Sequence, residues 1–279
     1  MAIVNPGDEV VVMEPFYENY GPDAVLCEAT PVYVPLEPGQ PLDLVRLAAA
    51  CSAKTRAIIV NTPNNPAGRV LTLAELEGIA ELCRRHDAWA VTDEIYEHIR
   101  FQGAHIPIAT LPGMAERTIT ISGASKTFSV TGWRIGWIVA PAAVTGAIRK
   151  VHDFLTVGAP APLQEAVGEA LERLPASYYT GISEEYRVRR DLLCGALQES
   201  GFRCIPPEGA YYVLADFTGL SELDDVAFSE WLTREIGVAP VPGSSFFREP
   251  SLGRGVVRFA FCKTDDLLVA AAERLRTIR

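Results

Sequence analysis

The stretch RAIIVNTPNNPAGRVLTLAELEGIAELCRRHDAWAVTDEIY (Arg56–Tyr96) reads as strand, loop, helix and strand in a single pass. RAIIV is a short apolar run that ends in the turn-rich NTPNNPAG, the pattern of a buried strand closed by a loop. Thr72 and Glu75 stand three apart just ahead of an apolar-periodic run, which predicts a capping box and a helix start. Leu76, Ile79, Ala80 and Cys83 fall at i, i+3, i+4 and i+7, one face of that helix. AWAVTDEIY (Ala88–Tyr96) follows as a second apolar strand. Two strands joined through a helix pair in parallel.

The same rhythm extends on both sides. EVVVMEP (Glu9–Pro15), PVYVPL (Pro31–Leu36) and RTITIS (Arg117–Ser122) are further strand-like runs. The expected fold is therefore α/β, with a mainly parallel sheet in a large domain flanked by helices. Beyond Pro141 the rhythm changes. Helical patterns cover Ala142–Phe154, Pro162–Leu174 and Ser177–Ser200, the last stopped by Gly201. Strand-like AYYVLADF (Ala210–Phe217), a helix around Val226–Ile236, strand-like VVRFAF (Val256–Phe261) and a last helix opened by Thr264 and Asp265 complete the chain. These predict a smaller α+β C-terminal domain over 172–279, after a large domain over 1–171.

Composition narrows the function. The chain has 279 residues, 48% hydrophobic and 22% charged, and a net charge of −10. That balance argues against a broad nucleic-acid footprint and against anionic membranes. No apolar run approaches a membrane span, and the start MAIVNPGDEV has no signal-peptide character. The six cysteines are dispersed without a C-x-x-C pair, and the four histidines form no ligand cluster with them. No metal site is expected, and a cytoplasmic location is.

In open parallel sheets, ligands collect beyond the carboxyl ends of the strands. Asn65, Asp93 and Lys126 all fall at such ends. SGASKTFSVTGWRIGW (Ser122–Trp137) holds Lys126 and Arg134 eight residues apart with no acid between them. A half-buried segment carries such cations only when each has a partner, in the chain or in a ligand. A pyridoxal phosphate enzyme needs a lysine for a Schiff base and a carboxylate for the pyridine nitrogen. It also needs donors to the ring hydroxyl, a cation for the phosphate and an aromatic against the ring. A further arginine suits a substrate carboxylate. The chain offers Lys126, Asp93, Tyr96, Asn65, Arg134, Tyr17 after EPF, and Arg258 within VVRFAF. Each has a plainer alternative: Asp93 as a cap, Asn65 as a turn residue, Tyr17 as packing, and the two arginines as ion-pair members.

NTPNNPAG, TDEIY, SGASKTFSVTGWRIGW and VVRFAF occur in an order and spacing that resembles the class I/II aminotransferases of the fold-type-I pyridoxal phosphate family. HIPIATLPGMAERTITISGASKTFSVTGWRIGWIVAP, EPFYENY and PEGAYYVLADF are similar to the kynurenine–oxoglutarate and glutamine or methionine transaminase branch. The resemblance implies transfer of an amino group from an aromatic, sulfur-containing or glutamine-like amino acid to a 2-oxo acid. It implies that Lys126 carries the Schiff base, that Asp93 pairs with the pyridine nitrogen, and that Asn65 and Tyr96 bond the ring hydroxyl. Tyr17 would stack, Arg134 and Ser125 would meet the phosphate, and Arg258, with Asn65, would hold the substrate carboxylate. A serine often stands three positions before the lysine in this family; here the place is Gly123. A homodimer is implied, and a cysteine-conjugate β-lyase would use the same residues. Family members carry a substantial portion ahead of the segment matching NPGDEVVV, where this sequence starts. An edge strand, a phosphate-binding helix start and residues completing the partner's site are therefore expected to be missing. A weakly active remnant or interaction partner is the alternative reading.

Overall fold

The computed structural model describes residues 1–278. In chain order it contains β1 (Glu9–Glu14), α1 (Tyr20–Leu26), β2 (Thr30–Pro35), α2 (Leu44–Ala50), β3 (Thr55–Asn61), α3 (Leu73–Arg85) and β4 (Trp89–Asp93). Then come β5 (Thr118–Gly123), α4 (Ala124–Thr127), β6 (Gly136–Val139), α5 (Ala142–Thr156), α6 (Ala161–Arg173) and α7 (Ala176–Glu199). The chain ends with β7 (Arg203–Cys204), β8 (Tyr212–Asp216), α8 (Asp225–Trp231), β9 (Val241–Pro242), β10 (Val256–Ala260) and α9 (Asp265–Leu275).

Six strands form one sheet in the order β2-β1-β3-β4-β5-β6, parallel except for β6, which runs antiparallel to β5. Successive strand residues point to opposite faces, and the apolar residues of the central strands divide accordingly. Val11, Met13, Ile58, Val60 and Ala90 pack with Leu47 of α2 and Leu76, Ile79 and Cys83 of α3. Their alternates Val10, Val12 and Ala57 pack on the other face with Phe16 and Ala24 of α1. Both faces are buried, which is why these strands read as continuous apolar runs and not as alternating ones.

The second sheet, β7-β8-β10-β9, is antiparallel. Its core joins Val213, Ala215, Val257 and Phe259 to side chains of α7, α8 and α9. Phe217 and Phe228 stack there with ring centroids 4.0 Å apart. The turn after β4 contributes Tyr96 and Ile99 to this same core, so the large sheet's rim is built into the second one.

The predicted strands are shorter at the functional rim. AWAVTDEIY stops being strand at Asp93, because Glu94–Ile99 close turns through Glu97 N to Glu94 O and Ile99 N to Tyr96 O. After the lysine turn, strand is confined to β6, and Arg134 sits in a left-handed turn at φ 55° ahead of it. β6 is an edge strand, with Ile138 and Val139 exposed. The short helices α1 and α2 lacked a period long enough to read, although Asp43 caps α2 by accepting from the Val45 and Arg46 amides.

The capping box of α3 is formed. Thr72 N and Oγ1 both donate to Glu75 Oε2, at 2.8 and 2.9 Å, and Glu75 N donates to Thr72 Oγ1 at 3.4 Å. Glu75 also accepts from Leu42 N and from Arg69, so the cap ties α3 to the preceding loop. Thr72→Ala is expected to cost about 1 kcal/mol of stability. Urea unfolding would show this as a lowered midpoint at unchanged slope; an unchanged midpoint would mean that the cap is redundant.

Candidate active site

The rim is set by the carboxyl end of β3. Asn61 Oδ1 accepts from the Asn65 amide at 2.7 Å, and Asn61 Nδ2 donates to Asp93 O at 3.0 Å. One side chain thus fixes the NNPAG loop and the end of β4 together. The Thr62–Pro63 and Asn65–Pro66 peptides are cis. Gly68, at φ 66°, closes the loop against the second sheet's leading segment: its carbonyl accepts from Glu208 N and Gly209 N. A Cβ on Gly68 would collide with Pro207 Cβ and lie 2.9 Å from Gly209 O, so only glycine permits this approach.

Asp93 ends β4 with both oxygens engaged. Oδ1 accepts from Ile95 N at 3.2 Å and Oδ2 from the Tyr20 hydroxyl at 2.5 Å. Burial pushes its carboxyl up; the Tyr20 and Ile95 donors and the Lys126 charge pull it back, while Glu94 adds to the rise. Tyr20 is pushed well above the ordinary phenol value, first by burial and then by Asp93, so it remains a donor.

Lys126 lies on the single turn α4, directly after β5. Gly123 precedes the turn because β6 crosses it closely. A Cβ there would meet Ile135 O at 2.9 Å and Gly136 Cα at 3.1 Å. A side chain at position 123 would therefore have to displace the neighbouring backbone. Burial lowers the Lys126 pKa; Arg134 adds to the fall, and Cys262 and Asp93 oppose it. The Lys126 ammonium lies 5.6 Å from the centre of the Tyr211 ring. Tyr178 donates to Thr127 O at 3.0 Å and stacks on Phe128, so α7 braces the lysine turn.

Arg258 projects from β10. Its Nη1 donates to Asn65 Oδ1 at 2.9 Å, and its guanidinium lies 4.3 Å from the Tyr212 ring centre and 4.6 Å from that of Phe246. The two rings hold the planar fork in place. Its Nε is buried with no partner among the described residues. A buried donor of a charged group left unpaired is costly, and an incoming carboxylate would remove that cost.

The remaining candidates divide. Tyr17 packs edge-on against Tyr20, 5.6 Å between centroids, and so stands beside Asp93. Tyr96 is buried with its hydroxyl 3.4 Å from that of Tyr212, which lies under Arg258. Arg134 is exposed; it donates to Thr131 O at 3.1 Å, forms no ion pair among the described residues, and borders a groove of about 730 Å³ along β6 and α5. Ser125 is buried within α4 beside Lys126.

The structure therefore brings Asp93, Lys126, Asn65 and Arg258 to one rim, while Tyr17 packs on Tyr20 and Tyr96 packs on Tyr211 and Tyr212. Sequence reading missed Tyr20, Tyr211, Tyr212 and Phe246. For Tyr20 a signal existed: Tyr17 and Tyr20 are three apart at a helix start, which places both rings on one side. The other three are aromatics whose role depends on how the second sheet meets the first. Glu94, Glu97 and His105 bring possible ligand atoms within 4.8 Å of one another, but Glu94 already bonds His105 and Thr92, and Glu97 bonds Ser122.

A lysine whose pKa burial lowers, a buried carboxylate with donors on both oxygens, an amide and a clamped guanidinium with a spare donor form a set that fits pyridoxal phosphate and an amino acid. The family described as aminotransferase class I and II matches residues 1–275. The chain is 38% identical over 279 residues to the methionine aminotransferase of Escherichia coli (strain K12), covering 99% of this chain and 72% of that one. It is 38% identical over 304 residues to kynurenine–oxoglutarate transaminase 3 of Mus musculus, covering 98% and 67%. The solved N-succinyldiaminopimelate aminotransferase of Mycobacterium tuberculosis superposes with a TM-score of 0.96 at 40% identity, over 100% of this chain and 73% of that one.

Proposed function

This chain belongs to the class I and II aminotransferase family, and we propose accordingly that it moves an amino group from an aromatic, sulfur-containing or glutamine-like amino acid to a 2-oxo acid. It is a transferase acting on amino acid and oxo acid substrates, and the family implies pyridoxal phosphate as cofactor. The observation that carries the assignment of residues is the convergence of Lys126, Asp93 and Arg258, the last with a buried Nε that has no partner among the described residues.

Pyridoxal phosphate, when bound, supplies an aldehyde carbon for amines and an electron sink for the substrate's α-carbon. Lys126 is the nucleophile toward that aldehyde, and its lowered pKa makes the neutral amine available nearer neutrality. Once freed by an incoming amino acid, the same amine would take the proton from the substrate's α-carbon as general base and, as general acid, deliver it to the carbon that was the cofactor's aldehyde. Asp93 holds the ring nitrogen's proton. The Asn65 amide group and the Tyr96 hydroxyl serve the ring hydroxyl, and Tyr17 covers a ring face. Arg134, an exposed cation without an acidic partner among the described residues, and Ser125 serve the phosphate. Arg258 binds the substrate carboxylate, keeping Asn65 as its second-side partner.

We assign residues 1–171 to the cofactor-binding domain and 172–279 to the C-terminal domain. A homodimer is supported by the apolar side chains left exposed on β6 and the end of α5, among them Ile138, Val139, Phe154 and Val157, the last two 90% and 83% exposed. Six free cysteines fit a cytoplasmic location, and no helix among the described residues is long and apolar enough to cross a membrane.

The test is trapping. Borohydride reduction of the chain mixed with pyridoxal phosphate is expected to fix one cofactor per chain on Lys126, located by peptide mass mapping. Methionine, phenylalanine, kynurenine and glutamine, each supplied alone, are then expected to convert the unreduced cofactor to its amine form at measurably different rates. Adduct on other lysines only would overturn the site, and equal inertness of all four donors would overturn the substrate class.

A further inference from the structure

The Asp93 carboxylate has a demand that its sequence position does not meet. It is buried, yet it must stay ionised and keep a lone pair aimed at a ligand nitrogen. Three groups support it: the Ile95 amide at 3.2 Å, the Tyr20 hydroxyl at 2.5 Å, and the Lys126 charge. The first is long. The third is transient, since Lys126 must be a neutral amine whenever it acts as nucleophile or base. Tyr20 is the support that does not change during the reaction. It is also neutral: an arginine or lysine in its place would compete with the ring nitrogen for the carboxylate, whereas a phenol donates without cancelling the charge.

We propose that Tyr20 is a positioning residue for the transamination, locking Asp93 Oδ2 so that the carboxylate keeps its aim and its charge while Lys126 changes protonation. The proposal rests on the reading that Asp93 meets the cofactor's ring nitrogen. Tyr20 is suited to this by its surroundings. It opens α1, its ring is fixed edge-on by Tyr17, and it packs with the face of the sheet that holds Val10, Val12 and Phe16. The charged and titratable groups around the pair are Lys126 on α4, Glu94 after β4, and Tyr17 and Asp23 at and within α1. Among these, Lys126 is the one cation, so no other group substitutes for the phenol once that lysine is neutral.

The expected behaviour of Tyr20→Phe follows. The ring still fills its place, but Oδ2 loses its short donor. Removing a hydrogen bond to a charged group weakens pyridoxal phosphate binding roughly tenfold. Asp93 also takes the ring's proton more readily, and a ring carrying less positive charge raises the proton affinity of the nitrogen that joins it to Lys126. The pH midpoint of the bound cofactor's visible absorbance therefore moves up.

The experiment compares the full chain with Tyr20→Phe, Asp93→Asn and the double variant. Cofactor dissociation constants come from equilibrium dialysis, and pH midpoints from absorbance. Tyr20→Phe should show both effects, and the double variant should bind no more weakly than Asp93→Asn alone, because Tyr20 acts through Asp93. If Asp93→Asn binds weakly and Tyr20→Phe matches the wild type, the role of Tyr20 is overturned. It is equally overturned if Tyr20→Phe weakens binding as much in the Asp93→Asn background as in the wild type. If Asp93→Asn itself matches the wild type, the underlying reading of Asp93 is wrong instead. Should Tyr20→Phe fail to fold, a difluorotyrosine placed at position 20 is a stronger donor and must move the midpoint down; an unmoved midpoint overturns the proposal.

Discussion

Lys126→Ala abolishes the visible absorbance that pyridoxal phosphate gives with the wild-type chain and lowers turnover by about 10⁴-fold, the upper end of what a positioned proton-transfer group supplies. The expectation follows from the setting of the side chain. Lys126 lies on a single helical turn at the end of β5, faces Asp93 and Tyr211, and is braced from behind by Tyr178. On the proposed mechanism alanine removes both the nucleophile and the group that moves the α-proton, and Lys126 is the one lysine that acts on Asp93 among the described residues. A small primary amine in solution should restore part of the rate without restoring a protein-bound adduct, since it supplies the base but not its placement. The pH dependence has a definite sign. Burial lowers the lysine's pKa, so the neutral amine is present at lower pH than for a free lysine. The rate at which apo-chain takes up pyridoxal phosphate should rise with pH and level off with a midpoint below the ordinary lysine value of about 10.4. A midpoint at or above that value would contradict the buried setting, and a Lys126→Ala chain that keeps its turnover would remove the lysine from the mechanism.

Arg258→Met is expected to reduce kcat/KM by roughly 10²–10³-fold, the effect of truncating one partner of a buried, hydrogen-bonded charge pair. Most of the loss should fall in substrate binding, because on the proposed mechanism the guanidinium holds a carboxylate that does not change during the reaction. The cofactor's absorbance should be unaffected. Stability should move the other way or not at all. Arg258 keeps its Nε buried and without a partner among the described residues, its guanidinium against the Tyr212 and Phe246 rings, and methionine fills similar volume without a charge to desolvate. A variant that loses substrate affinity while keeping its unfolding midpoint identifies a ligand-binding arginine. Equal losses of stability and affinity would identify a structural one, and Arg258 would leave the site.

Much of the large sheet was legible from residue order. RAIIVN, AWAVTD and RTITIS are apolar runs of strand length, and their two-sided burial made them continuous. The Thr72–Glu75 cap is local enough to be read directly. The limits of legibility are equally physical. AWAVTDEIY carries apolar residues past Asp93, but those side chains leave the strand: Tyr96 joins the core of the second sheet, and the backbone turns to let it do so. GWRIGWIVA offers alternation through Arg134, yet the chain spends that residue on a left-handed turn before β6 pairs with β5. Seven-residue α1 and α2 are too short for a period to show, and their helicity comes from packing on the sheet.

Residue order alone settles what kinds of group the rim holds. Strand ends, a turn-rich asparagine loop and an unpaired lysine and arginine are encoded within a few residues each, through spacing and composition. Which of them touch is a matter of packing between distant segments. Tyr20 reaches Asp93 across 73 positions, and Arg258 reaches Asn65 across 193. Such contacts depend on the register of parallel strands and on how a second sheet is clamped to the first at Gly68 and Ile99, and no local rule carries that information. The same packing strands one guanidinium nitrogen in a dry place and gives one buried carboxylate a phenol, and these two consequences of the fold turn a list of suitable residues into a site.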